Sequence, residues 1–263
     1  MVKVYTSGTF FEDQENPVEW QQHVLKETHD MGLHLVVEAQ AHMCKPEKLE
    51  FLAKHHPGCT VANGLEAYDD AVLRFHVNKG FSTKTWRKAV EDLRRNNLRV
   101  KTYLIFKPPF MSEGDALNHT SKWLVDVAPL SDEVSINPMN IQNRTIVDRL
   151  FRNREYRPPW LWSLIEMIQR THEETAEHDS RIIVHPTAGG KIRGAHNCGS
   201  CDKHVVAAIE RYSVSRNLAE FKGLECQCKA IWRAEIASDL CLPTPLGNGR
   251  DRRGNRVDLM RAP

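Results

Sequence analysis

Four cysteines in the last third of the chain form two closely spaced pairs. Cys198 and Cys201 have the spacing Cys-x2-Cys, and Cys226 and Cys228 have the spacing Cys-x-Cys. Four thiolates are a ligand set for a tetrahedral zinc ion, and an iron–sulfur cluster accepts the same number. His196 lies just before the first pair and could replace a cysteine or support the site from outside. The pattern predicts a metal site, zinc or iron–sulfur, with unliganded thiols as the alternative.

The remaining cysteines, Cys44, Cys59 and Cys241, are scattered and are interpreted as ordinary thiols. The N-terminus, MVKVYTSGTF, has no basic segment followed by an apolar core, so we expect a cytoplasmic protein in which metal ligation is favoured over disulfides. No run of 18 apolar residues is present, which argues against a membrane span. A formal net charge of +2 neither requires nor excludes a nucleic-acid partner.

A second group of chemically capable residues follows predicted strands. In parallel α/β folds the reactive groups lie at the carboxyl ends of the strands. A glycine-containing turn there brings backbone N–H groups close to a ligand, and a carboxylate can hold a ribose hydroxyl or an amino group. The alternative is that these residues only cap loops. The group consists of Ser7, Gly8, Thr9, Glu38, Glu66, Lys107, Asn137, Asn140 and Gln142.

The elements that must position these residues alternate between strand and helix over the first two thirds of the chain. Short apolar runs such as LHLVVE and RVKTYLIF predict six strands, and the stripe of Trp86, Ala89, Val90 and Leu93 predicts a helix with one buried face. This alternation predicts an α/β fold with a partial parallel (βα) barrel. We expect the barrel over 1–188, a small metal-binding subdomain with the four clustered cysteines over 189–240, and a basic flexible tail over 241–263 that either contacts RNA phosphates or has no role.

Several stretches resemble one family closely. These are TSGTFFED, NGLEAYDDAVLRFHVNKGF, KTYLIFKPPFMSEGDA, SINPMNIQNRTIVDRLFRNREYRPPWLWS, and HNCGSCD followed by CQC. On these motifs the chain resembles the radical-SAM subunit of archaeosine synthase from its first residues to about Trp232. KPPF and REYRPPWLWS are the most specific of them.

The resemblance implies a barrel that binds S-adenosylmethionine and a [4Fe–4S] cluster. It implies a 5′-deoxyadenosyl radical that abstracts hydrogen from a lysine adduct on a 7-deazaguanine in tRNA, after which a C–N bond breaks and the amidine of archaeosine remains. The implied partners are tRNA and the subunit that attaches the lysine. By the same resemblance, Ser7, Gly8 and Thr9 meet the methionine amino group and Glu38 and Glu66 lie near the cofactor. Four further residues would face the substrate or cofactor: Lys107, Asn137, Asn140 and Gln142.

The sequence departs from the family pattern in one respect that bears on chemistry. The family carries its cluster ligands as Cys-x3-Cys-x2-Cys on the strand before TSG, and no such spacing occurs in the printed sequence. VVEAQAHM also lacks the arginine and proline expected after the glutamate. We therefore expect a barrel without its first strand, cluster ligands outside this chain, and no activity of the chain alone. Either an N-terminal segment is missing, which we favour, or the protein is a decayed copy.

Three functions are compatible with these features. The first is a radical-SAM enzyme of tRNA modification. The second is a catalytically inactive, zinc-stabilised scaffold that binds tRNA or a protein partner. The third is an unrelated α/β-barrel hydrolase or lyase, against which the lack of a nucleophile–histidine arrangement counts.

Overall fold

A computed structural model describes residues 1–5, 8–238, 249–250 and 256–257, the last two pairs by their backbone only. Six strands form one parallel sheet in the order β1-β2-β3-β4-β5-β6, a half-barrel of the α/β class. The strands are β1 (Val2–Val4), β2 (Leu35–Glu38), β3 (Thr60–Glu66), β4 (Arg99–Phe106), β5 (Glu133–Pro138) and β6 (Arg181–Val184). The predicted parallel half-barrel is confirmed. A separate antiparallel pair joins β7 (Gly249–Arg250) to β8 (Arg256–Val257).

Helices connect the strands, and some of them begin at a side-chain cap, such as Ser82 and Thr145. Those within the sheet region are α1 (Val18–Asp30), α2 (Pro46–His55), α3 (Asp70–Val72), α4 (Thr83–Arg95), α5 (Glu113–Val127), α6 (Ile146–Arg152) and α7 (Leu161–Ala176). Two more follow β6: α8 (Asp202–Ser215) and α9 (Cys228–Ala237). The hydroxyl of Ser112 accepts a hydrogen bond from the backbone N–H of Asp115 at 3.0 Å, which is a capping interaction at the start of α5.

The chain divides into two compact units. Unit 1 comprises Met1–Leu104, Asp126–Ser135 and His178–Arg181. Its parallel registers place Val36 opposite Thr60 and Thr60 opposite Arg99, so the first four strands form a continuous ladder. The core of unit 1 includes Phe10, Phe11 and Trp86, all essentially inaccessible to solvent. The predicted stripe on α4 is buried, as its 3.6-residue period requires.

Unit 2 comprises Ile105–Val125, Ile136–Glu177 and Ile182–Pro263. Its core includes the buried side chains of Phe106, Trp123 and Trp160. A smaller apolar cluster forms around Ile141 and Tyr156. In the described part of the chain, no helix is both long and apolar enough to cross a membrane. The predicted limits of the barrel, the four-cysteine subdomain and the tail stay a prediction, and most of the tail lies outside the described residues.

Candidate functional site

In unit 1 the segment after β1 folds back onto the end of β2. The backbone N–H of Phe10 donates to the carbonyl of Glu38 at 2.7 Å, and the N–H of Gln40 donates to Thr9 Oγ1 at 3.3 Å. The Asn16 amide fixes Thr9 further by donating to its carbonyl at 2.9 Å. The structure therefore places Thr9, which follows β1, beside the end of β2, and its role toward a cofactor stays a prediction.

Glu38 is half-buried beside an aromatic hydroxyl that the sequence analysis missed. Tyr103 of β4 makes a hydrogen bond with Glu38 and another, of 3.4 Å, with Tyr5. Burial raises the pKa of Glu38; the Tyr103 hydroxyl opposes this shift, and the Glu66 carboxylate adds to it. The two glutamates therefore lie close enough to interact electrostatically. Burial also raises the pKa of Tyr103, so this hydroxyl stays protonated and able to donate.

Glu66 ends β3 in an unusual backbone conformation. Its φ is +72°, in the left-handed region that non-glycine residues seldom occupy. Its carboxylate accepts from Lys79 Nζ at 3.0 Å, and both side chains are about one-fifth exposed. A Cβ at Gly64 would lie 2.5 Å from Glu66 Oε1 and 3.2 Å from Lys79 Nζ. A side chain at position 64 would therefore displace the ends of Glu66 and Lys79 from their present positions.

Unit 1 thus gathers Thr9, Glu38 and Glu66 around one set of strand ends. Asn63 adds a buried amide whose Nδ2 donates to the Ala39 carbonyl at 2.9 Å while its Oδ1 has no partner. An unpartnered buried amide oxygen and two carboxylates form a set of hydrogen-bond acceptors suited to a ligand with amino and hydroxyl groups. Gly8 belongs to the same segment, and Ser7 lies outside the described residues.

In unit 2, Lys107 follows β4 but does not project into solvent. It is 3% exposed, has a φ of +59°, and its Nζ lies 2.7 Å from the carboxylate of the fully buried Glu113. Glu113 also accepts from the backbone N–H of Trp160 at 2.9 Å and from the Ser163 hydroxyl at 2.5 Å. The ammonium of Lys107 is therefore occupied by a buried counter-charge, which the strand-end pattern does not reveal.

The three amides predicted near the substrate differ in exposure. Asn137 in β5 and Asn140 just beyond it are half-buried, whereas Gln142 is exposed. The Gln142 carbonyl accepts from the Thr145 hydroxyl at 2.8 Å and so contributes to the turn before α6. Their roles toward a substrate stay a prediction.

The four clustered cysteines of unit 2 converge on one point. Cys198, Cys201, Cys226 and Cys228 place their sulfurs within 4.8 Å of one another. Three of these sulfur–sulfur distances are 3.9, 3.6 and 3.7 Å. Four sulfurs at about 2.3 Å from one tetrahedral ion are separated by about 3.8 Å. In a four-iron cluster each cysteine binds a different iron, which spreads the sulfurs further apart. The geometry fits a single tetrahedral ion.

Side chains around the cysteines support two of the sulfurs. Trp162 Nε1 donates to Cys228 Sγ at 3.2 Å, and Asn197 Nδ2 donates to Cys201 Sγ at 3.4 Å. Such donors stabilise thiolates and orient them toward a metal. A hydrogen bond from Cys228 lowers the pKa of Cys201 to about 6. His196 is buried outside the four-cysteine group, with Nδ1 2.8 Å from the Gly194 carbonyl.

The scattered cysteines have a different environment. Burial raises the pKa of Cys44 and of Cys59 to about 12, so both remain protonated at neutral pH. Protonated thiols are poor nucleophiles and poor metal ligands, as expected for ordinary thiols. Cys241 lies outside the described residues.

Comparison with known proteins identifies the family. The chain is 33% identical over 252 residues to archaeosine synthase subunit beta of Methanosarcina acetivorans, covering 94% of this chain and 72% of that protein. The chain belongs to this family. The subunit of the same name from Thermococcus kodakarensis is 31% identical over 244 residues, which are 91% of this chain and 75% of that one. No family model matches the chain.

Among solved structures, the fold is similar to that of Elp3 from Methanocaldococcus infernus, determined with an N-terminal deletion. The TM-score is 0.58 at 17% identity, over 86% of this chain and 55% of that chain. This chain therefore spans about half the length of the Elp3 chain. At this level of identity the likeness concerns the fold alone. It agrees with the predicted half-barrel of parallel strands.

Proposed function

We propose that this member of the archaeosine synthase subunit beta family is the S-adenosylmethionine-binding part of a radical enzyme that modifies tRNA. Membership in that family is the observation that carries the proposal, because its relatives are named for the synthesis of archaeosine. The substrate is a lysine adduct on a 7-deazaguanine of tRNA, and the reaction breaks a C–N bond to leave the amidine. The partner is the subunit that attaches the lysine.

The strand ends of unit 1 hold the cofactor in this proposal. Gly8 and Thr9, with Ser7, meet the methionine amino group, and Glu38 and Glu66 bind its other polar groups. The half-buried carboxylate of Glu38 and the unpartnered Oδ1 of Asn63 support this assignment, because both are acceptors held ready without a complete set of protein donors. When bound, the cofactor supplies the radical chemistry that removes a hydrogen atom from the adduct. Asn137, Asn140 and Gln142 orient the substrate.

Lys107 keeps a supporting place in the proposal. Its ammonium contacts Glu113 rather than solvent. In this proposal Lys107 therefore does not touch the substrate but holds Tyr156 and Glu113 in place next to it. The Tyr156 hydroxyl donates to the Lys107 carbonyl at 2.7 Å, which fixes the backbone just after β4. This arrangement holds the loop after the strand in one conformation.

The four-cysteine site binds one zinc ion and stabilises unit 2. A four-iron cluster does not fit these four sulfurs, and the printed sequence has no Cys-x3-Cys-x2-Cys. The cluster ligands therefore lie outside this chain in our proposal. The same two facts favour an alternative function, a catalytically inactive zinc-stabilised scaffold that binds tRNA or the partner subunit.

The reading frame upstream of Met1 separates the two functions. If it encodes Cys-x3-Cys-x2-Cys, the extended protein should be reconstituted anaerobically with iron and sulfide and supplied with lysine-modified tRNA. We expect cluster absorbance and formation of 5′-deoxyadenosine, and neither from the printed chain alone. Glu66→Gln should weaken binding of S-adenosylmethionine, measured by calorimetry, whereas Glu91→Gln on the exposed face of α4 should not. An extended protein that carries the cluster and leaves S-adenosylmethionine intact would overturn the enzymatic function.

A further inference from the structure

A cavity of about 360 Å³ lies in unit 1 between the turn after β2 and the first half of α4. Its volume is within the range of small-ligand sites, roughly 300–1,000 Å³. Ala41, Cys44 and Ala89 are buried and form an apolar floor. Three lysines form the rim: Lys45, Lys84 and Lys88. We refer to it below as the lysine-rimmed cavity.

The positive charge of this rim is not neutralised within the cavity. Asp92 is the acidic residue of its lining, and its carboxylate already accepts from Lys88 Nζ at 2.8 Å and from Arg95 at 2.6 Å. Lys45 and Lys84 are exposed, and neither forms an ion pair within 4 Å among residues 1–5 and 8–238. Asp13 acts electrostatically on Lys45, but its carboxylate is already paired with Lys48. Since the whole chain has a formal net charge of only +2, this is a local concentration of positive charge.

The cavity adjoins the strand ends that hold the proposed cofactor. Ala41 comes three residues after Glu38, and Gln40 between them donates its backbone N–H to Thr9 Oγ1 at 3.3 Å. His42 adds an exposed ring to the lining, with its centroid 6.1 Å from that of Phe81. A polyanion that reaches the strand ends of unit 1 would therefore pass close to the lysines.

We propose that the lysine-rimmed cavity binds a nucleotide of the RNA substrate. Phosphate oxygens contact Lys45 and Lys84, and the base or ribose rests on the apolar floor beside His42. Lysine ammonium groups bind phosphate as point charges, and apolar or aromatic surface next to them is the common composition of single-stranded RNA sites. This inference rests on the proposed function in that the bound polyanion is taken to be tRNA. An acidic segment of the partner subunit would be attracted to the same charge and is tested below.

Salt-dependent tRNA binding tests the proposal. The double variant Lys45→Gln/Lys84→Gln removes both unpaired ammonium groups. A matched control, Lys26→Gln/Lys54→Gln, makes the same charge change at exposed helical positions away from the cavity. Affinity for a tRNA transcript is measured by fluorescence anisotropy between 50 and 200 mM salt, without S-adenosylmethionine. Affinity falls as salt rises, and each lost phosphate contact makes the slope of log affinity against log salt less steep by about 1.

We expect the slope of the cavity variant to be less steep than that of the wild type by about 2. The slope of the control should change by less than half as much. The fourfold increase in salt then weakens wild-type binding about 16-fold more than binding of the variant. Lys45→Arg/Lys84→Arg, which keeps the charge, should bind nearly as the wild type does. Equal slopes for the cavity variant and the control would overturn the inference, even if the protein binds tRNA and the proposed function stands.

Two further outcomes would show that the cavity does not bind RNA. If the cavity variant binds tRNA normally but no longer binds the partner subunit, the cavity holds an acidic peptide, and the RNA inference is wrong. If the wild-type protein itself does not bind tRNA, the inference falls together with the tRNA-modifying function. Thermal unfolding of both double variants shows that each is folded, so that a lower slope reports lost contacts.

Discussion

The buried ion pair between Lys107 and Glu113 offers a quantitative test of unit 2. Glu113→Gln keeps the size of the side chain and some of its hydrogen bonds to Trp160 and Ser163, but removes its charge. The Lys107 ammonium, only 3% exposed, would then lose its direct counter-charge, and Glu235 would be the remaining buried carboxylate that acts on it electrostatically. Breaking one partner of a buried pair costs about 3–5 kcal/mol, because the remaining charge is desolvated and uncompensated.

For a chain of this size, 1 kcal/mol shifts the melting temperature by about 2–4 °C. Glu113→Gln should therefore lower the melting temperature by about 6–20 °C in a circular-dichroism melt. Glu220→Gln is a matched control, because Glu220 pairs with the largely exposed Arg211. An exposed pair contributes about 0–1 kcal/mol, so the control should shift by no more than about 4 °C.

The double variant Lys107→Met/Glu113→Gln shows whether the unpaired charge is the cause. With both charges gone, most of the lost stability should return, and the effects of the single variants should not add. If Glu113→Gln melts within 4 °C of the wild type, or if the double variant is as unstable as the sum of the singles, the argument from charge burial is refuted. Lys107 would then be free to serve the substrate directly, as the strand-end pattern predicted.

Two other perturbations follow from the candidate sites. Cys201→Ser should abolish stoichiometric zinc, measured by plasma mass spectrometry, and Cys59→Ser should retain it; equal zinc in both would mean that the cluster is not the site. Glu38→Gln should raise the melting temperature at neutral pH by less than about 4 °C, because burial raises the pKa of Glu38 and its charged form costs stability. This penalty is absent below the ordinary pKa of a glutamate and appears as the pH rises through the raised one. The two proteins should therefore melt alike near pH 4, and a gain that is independent of pH would contradict this cause.

The strands and the group of four cysteines were predictable because their sequence signals are local. Apolar runs define β2 and β4, which the sequence predicted from LHLVVE and RVKTYLIF, and residues 99–106 form a strand with the predicted bounds. The Cys-x2-Cys and Cys-x-Cys spacings likewise need only short loops to bring two sulfurs together. A periodic apolar stripe and a short metal motif depend on residues that are close in sequence, so both can be recognised in a single sequence.

The partners of these residues could not be predicted, because they are distant in sequence. Tyr103 meets Glu38 only through the register of parallel strands, and Trp162 reaches Cys228 across 66 positions. Lys107 followed a strand and was polar, so the sequence indicated an exposed functional group. Its burial depends on Glu113, which the first turn of α5 places six residues further along the chain. A position at the end of a strand therefore predicts where the residue lies in the fold, but it does not predict which group its side chain contacts.

The backbone at Glu66 shows that this side chain is retained at a cost to stability. A non-glycine residue in the left-handed region is less stable by about 1–2 kcal/mol than one in an ordinary conformation. The ion pair with Lys79 contributes about 1 kcal/mol at most for a partly exposed pair, so at best it only balances the strain. Glycine would adopt the same backbone without strain, and Gly64 shows that this strand accommodates glycine nearby. A carboxylate at position 66 therefore adds little to folding, and strained side chains of this kind are concentrated at ligand sites. The strained backbone at Glu66 is therefore consistent with the ligand proposed above for the end of β3.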